Sequence, residues 1–460
     1  MPIRSLELEP NKENLLKTIS KDLLDRNKCV YQFAHFCDMQ DGKCSIAVEA
    51  NWGSGKTFFI RHVQMLIESF NPFIKTFSDD EKKLIRNAFS NFIPTDRKDS
   101  EFEPSICVYY DAWSNDNDGD PILSLVYEII KNTSQTCPLK KSIDCIKAAS
   151  LIADFFTGKN LSNLVDLLHE KDVLSELKSK KEIHDLVNEF LDSLLYENGN
   201  RLIIFIDELD RCCPEYSVRF LERIKHYFSN DRITYVFAIN TNELQHTIKR
   251  YYGDEFNAYK YLDRFFDYKI SLPPANMLKY YSEIGLENGA WVYESVCKAV
   301  IDYHHFSLRE IEKYYRWAKI AAFKPTHDNH SFGFSEGYSM QFSLMIFVPI
   351  IIGLKIADAK LYSDFIEGKN PDPLLDIFNN SEFGMGICRL LFSEADTYSD
   401  NESYQTALAE RLKEAYDTVF GNAKKSDFNY VQIGKCAFNN EIKDVILRTT
   451  SFLSKYSSFD

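Results

Sequence analysis

Five short apolar runs punctuate the first 275 residues of the chain, and each is rich in β-branched and aromatic residues. Longer stretches with helical character separate them. Nearly continuous apolar runs of this length are typical of strands that a parallel sheet buries on both faces. Strands that alternate with helices indicate an α/β fold with a doubly wound parallel sheet. The predicted strands are 45–50, 105–113, 201–207, 233–240 and 267–273.

Two of the intervening segments carry apolar residues at the spacing of an amphipathic helix. After Lys56 these residues are Phe59, Ile60, Val63, Leu66 and Ile67. After Pro214 they are Phe220, Leu221, Ile224 and Phe228. Proline is favoured at the first position of a helix, which supports a helix start at Pro214. We predict that both helices cover the sheet.

The rest of the chain is predicted to be helical. Residues 1–44 are a helical lead-in to a core at 45–274, and 122–197 are a helical subdomain inserted into that core. No further strand series is expected in 275–460, which we predict to be a helical carboxy-terminal domain. The uncharged segment 337–354 has a strongly apolar part of nine residues. A membrane span needs about 20, so we predict a buried helix there, with a membrane segment as the alternative.

Charge and cysteine content narrow the classes of function. The chain has 460 residues and a net charge of −14, which argues against electrostatic binding of nucleic acid or anionic lipid across its whole surface. A local basic groove remains an alternative. Its 11 cysteines form no CxxC pair or zinc-ligand cluster, and the amino terminus has no secretory apolar core. We therefore expect reduced thiols and a cytoplasmic protein without membrane contact.

The most specific motif, ANWGSGKT, follows the first predicted strand and precedes a predicted helix. Glycines in this context let backbone N–H groups turn toward phosphate oxygens at the positive end of a helix. We expect Lys56 to reach the β- and γ-phosphates and the Thr57 hydroxyl to bind Mg²⁺. Ala50 stands where the motif usually begins with glycine. The predicted nucleotide contacts are Asn51, Trp52, Gly53, Ser54, Gly55, Lys56, Thr57 and Phe58.

Carboxylates follow the third predicted strand where it ends. An aspartate in this position can hold Mg²⁺, which we expect of Asp207. Glu208 would orient and deprotonate the attacking water, with Asp210 as the alternative base. The competing interpretation is that these carboxylates only cap the next helix. Trp113, at the end of the second predicted strand, is expected in the core, with a place beside the nucleotide as the alternative.

Taken in order, these motifs resemble the KAP P-loop NTPases, a family related to AAA+ and STAND proteins. The resemblance runs from about 45 to 320 through six blocks. Asp111 departs from the family's usual asparagine, and Glu208 and Asn240 stand where the family often has aspartate. The blocks are NWGSGKTFF, VYYDAWSNDNDGDPILSLVYEI, IDELDRCCPEYSVRFLERIK, ITYVFAINTNELQHTIKRYYG, YLDRFFDYKISLPP and FSLREIEKYYRWAK.

The resemblance implies further roles that the residues alone do not establish. It implies ATP and Mg²⁺ as ligands, Asn240 as a sensor group, Arg309 as a sensor arginine and Arg264 as an arginine finger. A finger that acts on a neighbouring copy would require a homo-oligomer. A salt bridge at the surface or between domains is the alternative for either arginine. Glu208 favours competent hydrolysis, and the charged segment between the two motifs indicates a member without the transmembrane insertion that many relatives carry.

Three functional hypotheses remain at this stage. The first is a regulated ATPase whose cycle drives assembly and release of partners. The second is a nucleotide-gated scaffold with negligible hydrolysis that recruits a separate effector protein. The third, direct action on nucleic acid, is weakened by the acidic balance and by the absence of a second catalytic motif in the sequence. The resemblance implies a bacterial role in defence against phages or mobile elements.

Overall fold

A computed structural model of the chain describes two compact units, Glu9–Lys279 and a second one formed from Tyr280 onward. The described residues are 9–94, 101–118, 120–136, 187–188, 191–192, 194–195, 199–227, 230–286, 292–323, 337–379, 385–394, 396, 398, 401–421 and 430–457.

The first unit is built on a sheet of five parallel strands, with the order β2-β3-β4-β1-β5. Each predicted run forms one of them, so the prediction of a doubly wound parallel sheet with a P-loop core is confirmed. The strands are β1 (Cys44–Glu49), β2 (Ser105–Asp111), β3 (Arg201–Asp207), β4 (Ile233–Ile239) and β5 (Tyr268–Ser271).

Helices cover the sheet on both faces. The helices of this unit are α1 (Lys12–Lys21), α2 (Asn27–Asp38), α3 (Lys56–Phe70), α4 (Asp79–Ala88), α5 (Pro121–Thr136), α6 (Pro214–Tyr227), α7 (Thr241–Tyr252) and α8 (Ala258–Leu262). The first four pack on one face and the last four on the other. Side chains of β3 alternate between the two cores, since Ile203 and Phe205 face the first group and Ile204 and Ile206 the second. Of the predicted insertion at 122–197, residues 137–186 lie outside the described residues.

The topology places one strand between the two chemical motifs. β4 pairs with β1 on one side and with β3 on the other. All strands run parallel, so their carboxyl ends share one edge of the sheet, where ligands bind in folds of this kind. The loop after β1 and the acidic residues after β3 therefore meet at that edge.

The second unit is mainly helical. Its helices are α9 (Met277–Ile284), which begins within the first unit, α10 (Val292–His304), α11 (Leu308–Ala318), α12 (Tyr338–Phe342), α13 (Val348–Ala357), α14 (Ala359–Ile366), α15 (Asp372–Asn379), α16 (Met385–Cys388), α17 (Asn401–Phe420) and α18 (Asn440–Thr449). Two antiparallel strands, β6 (Tyr430–Ile433) and β7 (Cys436–Asn439), form a hairpin. The prediction of a helical domain is confirmed, but it did not include this hairpin, because each strand has only four residues and too few alternations to reveal it.

The apolar segment of this unit is a helix with one widened turn. Among the described residues, Tyr338–Ala357 alone is long and apolar enough to cross a membrane by length and composition, with a mean hydropathy of 2.0. Within the fold, 78 % of that window is buried, which agrees with the predicted core helix. Its turn Ser343–Phe347 is π-helical and comes just before Pro349, whose missing N–H and bulky ring disturb regular α-helical bonding.

Candidate nucleotide-binding site

The loop after β1 has the backbone that the sequence motif requires. Gly53 and Gly55 adopt φ values of +74° and +88°, which side chains other than glycine rarely adopt. Gly55 is the N-cap of α3, so the loop leads directly into the positive end of that helix. The backbone N–H of Ala50 bonds to the Ile239 carbonyl at 3.2 Å and extends the pairing of β1 with β4. Ala50 needs no glycine conformation because it continues the strand.

Lys56 folds back onto the loop. Its Nζ donates to the carbonyl oxygens of Ala50 at 2.8 Å and of Asn51 at 3.2 Å. Burial lowers the pKa of Lys56, and Asp210 and Asp207 act in the opposite direction. The Ser54 hydroxyl also donates to the Asn51 carbonyl, at 2.7 Å. The ammonium group is thus held at the loop by neutral partners.

Asp207 joins the acidic strand end to the phosphate loop. The carboxylate is 1 % exposed, and its Oδ2 accepts a hydrogen bond from the Thr57 hydroxyl at 2.6 Å. The Tyr109 hydroxyl donates to the same oxygen at 3.0 Å, and the Glu208 N–H donates to Oδ1 at 3.0 Å. Burial raises the pKa of Asp207, and these bonds oppose that rise. The contact brings together the two residues predicted to bind the metal.

Tyr109 is a site residue that the sequence analysis missed. In the register of β2 against β3, Tyr109 lies opposite Phe205, and Asp111 lies opposite Asp207. Burial and the adjacent Asp207 raise the pKa of Tyr109 far above its usual range, so its hydroxyl stays protonated and can donate. The run VYYDAW holds two adjacent tyrosines, and only the pleat of the strand determines which one faces the carboxylate.

Glu208 sits in a strained backbone conformation. Its φ is +60°, in the left-handed region that costs a non-glycine residue on the order of 1 kcal/mol. Its Oε2 pairs with Nε of Arg211 at 2.5 Å. Burial, and next the charge of Asp207, raise the pKa of Glu208 to about 7, while Arg211 opposes the rise. A carboxylate with a pKa near neutrality is suited to accept a proton from water.

Two tryptophans flank the acidic cluster. The indole N–H of Trp52 donates to Oδ2 of the buried Asp210 at 2.5 Å. The guanidinium of Arg211 lies 5.6 Å from the ring centre of Trp52 and 5.7 Å from that of Trp113. Trp113 is 53 % exposed, so its expected place in the core was wrong. β2 ends at Asp111, and the 3₁₀ turn that follows carries the indole out of the sheet.

The other predicted site residues lie in different parts of the structure. Asn240 follows β4, and its side chain caps α7 by accepting the Asn242 N–H at 3.2 Å. Phe58 is half-buried against the core on the α1–α4 face. Arg264 is exposed in the turn after α8, and Arg309 is exposed in the first turn of α11, in the second unit.

The donor set fits a hydrated Mg²⁺ ion that also binds nucleotide phosphates. Mg²⁺ prefers oxygen ligands and is held by few protein groups beside water and phosphate oxygens. The Thr57 hydroxyl and an Asp207 carboxylate oxygen are such ligands and lie side by side. Across the described residues, no group of three or more His, Cys, Asp or Glu side chains could hold a metal by itself.

Comparison with known proteins gives matches of unequal extent. The model of the KAP family P-loop domain matches residues 28–284. An uncharacterized protein of Methanocaldococcus jannaschii is 40 % identical over 76 residues, which are 16 % of this chain and 39 % of that protein. The match thus spans well under half of that relative's length.

Two solved structures of the Aeropyrum pernix ORC2 protein, one with ADPNP and ADP and one with ADP, show a distant similarity. The match to the first structure covers 98 % of this chain and 95 % of that one, at 12 % identity and a TM-score of 0.31. The match to the second covers 86 % of this chain and 94 % of that one, at 11 % identity and a TM-score of 0.29. Scores this low carry no conclusion about function. The family match, by contrast, covers more than half of the 460 residues. This chain belongs to the KAP family of P-loop NTPases.

Proposed function

We propose that this protein is a Mg²⁺-dependent ATPase whose nucleotide cycle controls the assembly of partner proteins. Membership of the KAP family supports nucleotide binding and an ATPase-like function. The observation that carries the proposal of a magnesium-dependent ATPase is the 2.6 Å contact between the Thr57 hydroxyl and Asp207. This contact joins the phosphate loop to the acidic strand end, with Glu208 next in the chain.

Nucleotide binding would use the loop backbone and Lys56. The N–H groups around Gly53 and Gly55 would donate to phosphate oxygens. Lys56 would exchange its two carbonyl partners for charged phosphate oxygens, which form stronger hydrogen bonds. Thr57 and Asp207 would hold Mg²⁺, which neutralises phosphate charge when bound. Tyr109 positions the Asp207 carboxylate by its hydrogen bond.

Glu208 is the proposed base. Its pKa of about 7 allows a substantial deprotonated fraction at neutral pH, so it can take a proton from the attacking water. Asp210 remains the alternative, but the bond from Trp52 already engages one of its oxygens. Asn240, Arg309 and Arg264 keep their proposed roles as sensors and finger, which rest on the resemblance alone.

A second candidate function is a nucleotide-gated scaffold with negligible hydrolysis. The ion pair between Glu208 and Arg211 favours it, because a carboxylate held at 2.5 Å by an arginine is less free to orient water. If this pair persisted with ATP bound, binding alone would be the switch. The two candidates make opposite predictions for turnover but the same prediction for binding.

The biological role is proposed on resemblance. The resemblance to KAP proteins supports a cytoplasmic component of bacterial antiphage or mobile-element defence, which acts with a separate effector protein. A homo-oligomer follows if Arg264 serves the site of a neighbouring copy. Phage challenge of cells that carry the native gene or its Lys56→Ala form tests this role. The proposal expects protection only from the native gene, and equal plaque counts would remove it.

The biochemical proposal is tested by ATP binding and turnover on the same samples. We expect Lys56→Ala to weaken binding strongly, and Glu208→Gln to bind ATP while losing turnover by about 10²-fold or more. Glu215→Gln is a matched control, since Glu215 is exposed and, among the described residues, its ion pair is with Arg219 at 3.5 Å. Turnover that is equal in native protein and Glu208→Gln would leave the scaffold as the better function.

A further inference from the structure

Arg26 is a buried cation in contact with the phosphate loop. It is the N-cap residue of α2 and lies two positions before the family match begins. The side chain is 8 % exposed, and its Nη1 donates to the Ser54 carbonyl at 3.0 Å. Ser54 lies between the two glycines that shape the loop. The arginine thus connects the helices before β1 to the loop that would receive phosphate.

Within the described ranges, the guanidinium of Arg26 meets no opposite charge. Its Nε is buried without a hydrogen-bond partner, and no carboxylate in the described part of the chain forms an ion pair with it. The two nearest aspartates in sequence face other groups. Asp22 accepts the Asn27 N–H at 3.0 Å, and Asp25 lies 3.7 Å from Lys279. Burial lowers the pKa of Arg26 to about 10.

Burial without a counter-charge is an expensive arrangement for a guanidinium. An ion taken out of water loses solvation that only opposite charge and full hydrogen bonding can replace. One carbonyl satisfies one of the five N–H groups of an arginine. The residue therefore has unused donor capacity and an uncompensated charge beside a loop shaped for anions.

Arg201 shows how the same chain satisfies a buried arginine that serves structure alone. It lies at the opposite, amino end of the sheet, at the start of β3, and is 9 % exposed. Its guanidinium donates to the Gly42 carbonyl at 3.1 Å, to the Thr234 hydroxyl at 3.0 Å and to the Gln40 carbonyl. Burial lowers the pKa of Arg201, and Cys44, Asp38 and Asp41 oppose that change. Arg26, equally buried, has one such bond.

We propose that Arg26 is a nucleotide-binding residue whose missing counter-charge is a phosphate group of the nucleotide held by the loop after β1. The inference rests on the proposed nucleotide binding and adds a residue outside the family match. A guanidinium presents several donors in one plane, so Arg26 can keep the Ser54 carbonyl and still bind an anion. Because Arg26 stands at the start of α2, the proposed contact would also make the helices before β1 sensitive to nucleotide.

The test measures affinity for the fluorescent nucleotide mant-ADP and thermal unfolding without nucleotide, both on the full chain. For Arg26→Gln we expect affinity to fall about tenfold or more, as for loss of a charged hydrogen bond. We expect its unfolding temperature without nucleotide to stay the same or rise, because an uncompensated buried charge is removed. The matched control, Arg201→Gln, is expected to do the reverse, with a lower unfolding temperature and unchanged affinity.

Charge and salt separate phosphate binding from mere support of the loop. Arg26→Lys keeps the charge and should recover part of the affinity, and added salt should weaken mant-ADP binding less in Arg26→Gln than in native protein. Unchanged affinity in Arg26→Gln would overturn the inference. So would an affinity loss that comes with a lower unfolding temperature and is not recovered by Arg26→Lys. If the native protein itself binds no mant-ADP, the proposed function fails as well.

Discussion

The two ends of the parallel sheet use polar side chains differently. At the amino end, Arg201, Asp267 and Asn71 each bond to backbone atoms of loops or strand ends. At the carboxyl end, Asp207 and Glu208 bond chiefly to other side chains. Their partners are Thr57, Tyr109 and Arg211.

The difference separates support of the fold from chemistry. Backbone groups at a strand end need partners wherever they are buried, so polar residues at the amino end complete the hydrogen bonding of the sheet. At the carboxyl end, by contrast, carboxylates with raised pKa values cluster beside a left-handed Glu208, and one backbone N–H is among their partners. Arrangements of this kind collect at functional sites. Substitutions at the amino end should therefore change stability, and substitutions at the carboxyl end should change nucleotide turnover.

The largest expected effect on stability comes from Glu68, in the last turn of α3, the helix that leads away from the carboxyl edge. Burial raises its pKa from 4.5 to about 7, with a hydrogen bond from Gln64 as the main opposing contribution. Because Glu68 ionises more easily in the unfolded chain, the free energy of unfolding falls as pH rises from about 4.5 to 7. Glu68→Gln should thus stabilise the protein above pH 7 by up to about 3 kcal/mol.

Chemical denaturation of native protein and Glu68→Gln at pH 5 and pH 8 measures this effect. The gain should be small at pH 5 and large at pH 8. Glu215→Gln, at an exposed position, should show no such pH dependence. A Glu68→Gln protein that is equally or less stable than native at pH 8 would show that the buried carboxylate has partners that offset its burial.

The next effect concerns Tyr109, which supports the carboxyl end through Asp207. Tyr109→Phe removes only the hydroxyl that donates to Oδ2 at 3.0 Å. Residues that orient a metal ligand typically change metal affinity by about 10- to 100-fold when they are altered. We expect the Mg²⁺ concentration for half-maximal turnover to rise by that factor, with little change in unfolding temperature. Tyr110→Phe is a neighbouring control on the opposite face of β2, bonded to Ser124 and Tyr216. An unchanged Mg²⁺ requirement in Tyr109→Phe would remove Tyr109 from the site.

The smallest predicted effect is a shift in pH dependence. The pKa of Glu208 is about 7, so kcat/KM should fall below neutral pH as the base becomes protonated. Arg211 lowers this pKa, and its replacement in Arg211→Gln should move the acidic limb to higher pH by about one unit or less. The pH profile of kcat/KM measures the shift. A limb that moves to lower pH, or does not move, would argue that Arg211 does not face Glu208 during turnover.

Most of the fold and the centre of the site followed from local sequence. Four of the five strands are nearly continuous buried apolar runs, and β5 is a short edge strand with no buried residue. The acidic residues lie at the end of β3, so these features are visible without tertiary contacts. Lys56, Thr57 and Asp207 were predicted in the same way, and the structure brings them to one edge. The four-residue strands β6 and β7 were too short to show a period.

The missed residues depend on tertiary structure. Arg26 lies 28 residues before Ser54, and only the packing of α2 beside the loop joins them. Tyr109 and Tyr110 are adjacent, and the pleat alone gives the first to Asp207. Trp113 is apolar and follows a buried strand, yet the strand ends two residues earlier and the turn exposes the ring. None of these facts has a signature in the neighbouring sequence.

The central claim is that the carboxyl edge of the sheet is a magnesium-dependent ATPase site. ATP turnover against Mg²⁺ concentration, for the native chain and Asp207→Asn with unfolding temperatures in the same buffer, tests it most directly. The account predicts Mg²⁺-dependent turnover by the native protein and a loss of about 10²-fold or more in Asp207→Asn, whose fold should be at least as stable because a buried charge is removed. Turnover that survives in Asp207→Asn, or that is absent from the native protein, would contradict it.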